Sequence, residues 1–155
     1  MQLILDGYKG AVQTDGYKAY EALELTRWIK LLPCMAHARR KFENIKAQYP
    51  QDIPIVLKYF AFLYQIEANL KERHASLEEI QKEREEKSVP ILNKIEQWLK
   101  QKSLETTPKS SLGEAISYTL KRWDKLCAYV NNGMYHIDNN PVERSIRPIA
   151  LGRKN

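Results

Sequence analysis

A chain of 155 residues with 43% hydrophobic and 28% charged side chains can bury one core and has the balance of a globular domain. No apolar run reaches the roughly 20 residues that cross a bilayer, and MQLILDGYKG lacks the form of a secretory signal. Two cysteines, Cys34 and Cys127, exclude a disulfide scaffold and point to a reduced, cytoplasmic chain.

The net charge of +6 is carried by the ends. Residues 1–50 hold eight Lys/Arg against five Asp/Glu, residues 51–110 hold ten against ten, and residues 111–155 hold seven against four. Basic ends around a balanced middle fit a polyanion such as nucleic acid.

In chain order, Leu3 to Leu5 read as a helix end, with Gly7 and Gly10 in the turn. Ala11–Thr14 is a short strand running into Asp15. Residues 17–25 form a short helix, and Trp28–Leu32 a second buried strand. A helix follows Pro33, from Cys34 to Gln48. Ile53, Val56, Leu57, Phe60, Leu63, Tyr64 and Leu70 then make one helical stripe. Ser76-x-x-Glu79 has the form of a capping box opening the next helix. That helix passes through the charged QKEREEKS, read as a solvated face, and Pro90 should kink or interrupt it. It resumes with Ile91, Leu92, Ile95, Trp98 and Leu99. Residues 103–110 are a loop. A last long helix covers Ser111–Asn131, burying Ile116, Leu120, Trp123, Leu126, Cys127 and Val130. Gly133 suits a left-handed cap at its end.

The final segment, MYHIDNNPVERSIRPIALGRKN, carries the most chemistry. Asn140 at the N-cap, Pro141 at the first turn and Glu143 three residues after the cap make a helix start in which Glu143 can cap the backbone. Arg144 and Arg147 share a helix face, and Arg153 and Lys154 follow. A basic face beside a helix N-terminus suits phosphate.

Other polar residues have plainer readings. Cys34 and His37 have a C-x-x-H spacing, but His74 and His136 supply no matching second pair for a four-ligand zinc site. Tyr17 and Tyr20 read as packing residues, Trp98 and Trp123 as core, and Asp138 as a turn residue.

QTDGYKAY (13–20), CMAHARRKF (34–42) and DNNPVERSIRPIALGRKN (138–155), with SLGEAISYTLKRWDKL (111–126), together resemble transposases of the insertion sequence 66 family. The resemblance spans nearly the whole chain, in the same order. It implies a ribonuclease H-like fold in which Asp, Asp and Glu bind two divalent metals, magnesium or manganese. The second Asp matches Asp15 and the Glu matches Glu143. The first Asp lies in an Ala-Asp-Glu-Thr-like block that has no counterpart here; Asp6 stands in a different context. The chemistry implied is phosphodiester cleavage and strand transfer, in which two ions about 3.5–4 Å apart assist the attacking and leaving oxygens. Arg39, Arg40 and Lys41 in the second block join Arg144, Arg147, Arg153 and Lys154 as DNA-binding candidates.

The expected architecture is mainly α with a small β component, a single domain over 1–155. Within it, 1–50 and 132–155 form a truncated ribonuclease H-like remnant and 51–131 a helical insertion. The expected function is a fragment of a DDE transposase, inactive alone because the first catalytic Asp is absent. The alternatives are a non-catalytic DNA-binding or regulatory protein derived from a transposase, or a decayed remnant. Expected partners are transposon ends, target DNA and a second copy through exposed strand edges. The expected location is the bacterial cytoplasm, at the nucleoid.

Overall fold

The computed structural model describes residues 10–14 and 29–138. The first element, β1 (Gly10–Thr14), pairs in parallel with β2 (Ile29–Pro33), with Gly10 opposite Ile29 and Thr14 opposite Pro33. Both strands lie within a residue or so of their predicted positions. Beyond them the described chain is helical: α1 (Met35–Glu43), α2 (Ile53–Glu72), α3 (Leu77–Glu83), α4 (Val89–Glu105), α5 (Ser111–Lys121) and α6 (Trp123–Cys127). The predicted helix over residues 17–25 lies outside the described residues.

The helices share one core. Phe42 of α1 lies against Phe60 of α2, with ring centroids 6.0 Å apart, and meets Trp98 of α4 edge-on at 5.9 Å. Met35, Ile53, Val56, Leu63, Ile95, Leu99 and Ile116 close around these rings. The α2 stripe is buried at Ile53, Val56, Phe60, Leu63 and Leu70, as its spacing predicts.

The chain departs from the predicted elements where local chemistry overrides periodicity. The helix expected to reach Gln48 ends at Glu43 and gives way to a 3₁₀ turn over Lys46–Gln48. Pro50 disfavours helical backbone at Tyr49, which lies outside the helical region at φ −132° and ψ 63°. The helix expected over Ser111–Asn131 breaks at Arg122. Thr119 Oγ1 donates to the Ala115 carbonyl at 2.9 Å, a bond that bends helices, and the remainder continues as α6 and a 3₁₀ turn over Ala128–Asn131. Ser76 caps α3 as predicted, accepting from the Glu79 backbone N–H at 3.2 Å.

Two chain reversals differ from expectation. Gly133 is not in the left-handed conformation. A Cβ there would lie 2.5 Å from the Leu77 carbonyl oxygen, so close backbone approach is what demands glycine. The left-handed residue is His74, at φ 51°. It ends α2 in a Schellman arrangement: its N–H donates to the Lys71 carbonyl and the Ala75 N–H to that of Leu70.

The proline interruption takes a specific form. Residues Arg84–Ser88 make one π-helical turn between α3 and α4, closed by the Val89 N–H donating to the Arg84 carbonyl. The wider turn accommodates the Pro90 ring without ending the helix. It also corrects the reading of QKEREEKS as solvated throughout. Glu85, Glu86 and Lys87 are exposed, but Arg84 and Ser88 are buried.

Cys127 is half-buried, and its thiol is pushed up from about 9 to about 12, first by burial and then by Glu96 and Asp124. Because the folded chain holds this proton more tightly than the unfolded chain, its stabilising effect is complete below pH 9. That effect is lost as the pH rises through about 12. Urea titrations from pH 8.5 upward should show falling stability, with a shallower fall in Cys127→Ala.

Candidate metal and nucleic-acid site

Asp15 and Glu143 both lie outside the described residues, as do Arg144, Arg147, Arg153 and Lys154. The described chain nevertheless defines the place from which each carboxylate departs. Thr14, immediately before Asp15, sits at the C-terminal end of β1 opposite Pro33 of β2. Two residues beyond Pro33, the Met35 N–H at the start of α1 donates to the Ile137 carbonyl at 3.3 Å. Ile137 is buried, and Asp138 follows it. Thus the chain leading out to residue 15 and the chain leading towards residue 143 attach to one corner, Pro33 to Met35.

This corner is lined with polar groups. The Arg39 guanidinium lies 4.8 Å from the Tyr64 ring centre and reaches Glu43 at 3.2 Å. Tyr64 is half-buried and holds its proton well above the usual phenol range, first through desolvation and then through the Asp138 carboxylate. Asp138 therefore acts on the Tyr64 hydroxyl as a neighbouring negative charge, beyond the turn role its sequence context suggests. Among the described residues no group of three His, Cys, Asp or Glu side chains comes together to hold a metal.

The return path to Asp138 is fixed by a buried cation that sequence reasoning missed. Arg84 is 3% exposed. Its Nε and Nη2 donate to the two Glu67 oxygens at 3.0 and 2.6 Å. Its Nη1 donates to the carbonyls of Tyr129 at 2.8 Å and Asn132 at 3.2 Å. The guanidinium also stands 5.0 Å from the Tyr129 ring centre. Burial, and next the Glu67 charge, raise the Tyr129 hydroxyl above the usual phenol range. A positive group at helix-terminal carbonyls is electrostatically favourable. Here it ties the π turn and α2 to the segment that leaves the bundle. The cleft beside it, about 440 Å³, runs from Glu67, His74 and Arg84 to His136 and Asp138. A sequence signal existed: Ile80, Arg84, Ser88, Leu92, Ile95 and Leu99 recur at steps of three and four, so an arginine interrupts an inward stripe.

The basic candidates on α1 differ in availability. Arg39 is ion-paired and stacked as described. Arg40 is exposed. Lys41 is exposed, with its ammonium 4.6 Å from the centre of the Tyr118 ring on α5.

No helix among the described residues is long and apolar enough to cross a membrane. Three curated proteins of Sinorhizobium fredii are similar to the chain. The uncharacterized protein y4jD is 36% identical over 97% of this chain, y4hP 32% over 97% and y4qI 33% over 97%. The chain spans 30% of the length of the first two and 29% of the third. No solved structure matches. The family model described as Transposase IS66 family matches residues 1–155, and the chain belongs to that family.

Proposed function

We propose that this chain supplies two of the three metal-binding carboxylates of a DNA-cleaving and DNA-joining transposase, Asp15 and Glu143, around a ribonuclease H-like remnant interrupted by a helical insertion. The observation that carries this reading is the shared corner. β1 ends one residue before Asp15, the Ile137 carbonyl is bonded at the start of α1, and both meet the Pro33–Met35 turn. Glu143 is five residues past Asp138, a tether of at most about 18 Å when extended. The 128 residues separating Asp15 from Glu143 are therefore no barrier to their meeting.

The donor chemistry fits hard divalent cations, which take oxygen ligands. Magnesium or manganese bound there would polarise the attacking and leaving oxygens of a phosphodiester. The protein's own part is to hold the two carboxylates: Asp15 from a strand end, and Glu143 from the helix start expected at Asn140–Pro141. Arg40, Lys41, Arg144, Arg147, Arg153 and Lys154 would neutralise the DNA backbone around them, with Arg39 held closer to Tyr64 and Glu43. The partners on this reading are transposon ends and target DNA.

A polypeptide of residues 1–155 alone, which has no counterpart of the first family Asp, is expected to lack strand-transfer activity. Incubated with duplex ends of its own element and Mg²⁺ or Mn²⁺, it should yield neither nicked nor joined product. Efficient joining, abolished by Asp15→Ala, would overturn the inactivity and show a complete site formed from this chain alone.

A further inference from the structure

Two cations from different helices converge on one aromatic ring. Lys41 of α1 lies 4.6 Å from the Tyr118 ring centre, and the Arg122 guanidinium at the end of α5 lies 3.9 Å from it. Arg122 is held in place by Nη1, which donates to the Tyr118 carbonyl at 3.1 Å. Its other guanidinium protons make no hydrogen bond among the described residues, and neither Lys41 nor Arg122 has an ion-pair partner there. Arg40 and Lys121, their chain neighbours, are exposed and likewise form no ion pair among the described residues. Exposed acids on these helices are not absent. Glu43 is engaged by Arg39, while Glu114 lies in the first turn of α5 and Asp124 in the first turn of α6.

Like charges gathered on one ring repel unless an anion joins them, and the ring fixes both at low conformational cost. We infer that Arg40, Lys41, Lys121 and Arg122 around Tyr118 form a binding surface for the phosphate backbone of duplex DNA, carried jointly by α1 and the helical insertion. The chemistry is that of backbone contact: positive, aromatic-braced and indifferent to sequence. A guanidinium whose remaining fork protons are unbonded among the described residues matches phosphate oxygens, and the neighbouring ammonium adds a second contact. This inference rests on DNA being the chain's partner, and is independent of the Asp15–Glu143 pair. Binding here needs no metal.

The test is a fluorescence-anisotropy titration of residues 1–155 on a mixed-sequence duplex in EDTA, repeated across salt concentrations. The variants are Lys41→Ala/Arg122→Ala and a charge-matched control, Lys58→Ala/Lys94→Ala, at exposed positions on α2 and α4. Circular dichroism melts confirm that each is folded. Loss of two phosphate contacts should lower the salt slope by about 1.8 and weaken binding at least tenfold, with the control unchanged. Lys41→Arg/Arg122→Lys, which keeps both charges, should retain most of the affinity. Equal behaviour of the double variant and the control would overturn the surface while leaving DNA as the partner. No binding by the unsubstituted chain would overturn both.

Discussion

Replacing Arg84 with methionine should cost about 3–5 kcal/mol of folding stability, enough to leave the chain marginally folded. The substitution keeps the bulk of the side chain but strands the Glu67 carboxylate, which is only 18% exposed, and two helix-terminal carbonyls that Arg84 satisfies. The penalty therefore arises from groups left behind, not from lost packing. The double variant Arg84→Met/Glu67→Gln removes the stranded charge and should recover part of the loss. Urea unfolding of the two variants distinguishes this from an ordinary core defect, for which the second substitution would add further loss. In Arg84→Met, residues 132–138 should also show faster amide exchange than the rest of the bundle, because the Asn132 carbonyl loses its anchor.

Phe42→Ala should be comparably severe, at about 3–5 kcal/mol. Phe42 is fully buried and touches the rings of both Phe60 and Trp98, so its removal opens a cavity where α1, α2 and α4 meet. The midpoint of urea unfolding should fall while the slope stays constant. The two substitutions act on different parts of the molecule. Phe42 seats the helix that bears Arg40 and Lys41, and Arg84 seats the path towards Glu143.

The features most legible in the sequence were those set by local chemistry or by a single period. The β1 and β2 strands, the α2 stripe and the Ser76 cap follow directly from apolar spacing and capping residues. What escaped was tertiary. Arg84 sits in the most charged stretch of the chain, and only its partners, 17 residues upstream and 45 to 48 downstream, make burial tolerable. The left-handed end of α2 fell on His74, where no glycine marks it, while Gly133 answers to the Leu77 backbone in another helix. The break at Arg122 could not be read from the apolar face of Ser111–Asn131, because that pattern continues through it. The candidate carboxylates came from three ordered motifs, whereas the approach of Thr14 and Ile137 to the Pro33–Met35 corner needed the fold. The Lys41–Tyr118–Arg122 cluster joins residues more than 70 positions apart and has no sequence signature.

The proximity of Asp15 and Glu143 is the claim on which the proposed function stands. Nitroxide labels at Asp15→Cys and Glu143→Cys, in a Cys127→Ser background with Cys34 left buried, report it directly by continuous-wave electron paramagnetic resonance. Carboxylates that share a pair of metal ions bring their backbones close together. The doubly labelled chain should therefore show dipolar broadening absent from the sum of the two singly labelled spectra. A double-label spectrum equal to that sum would put the two residues far apart and contradict the shared metal site.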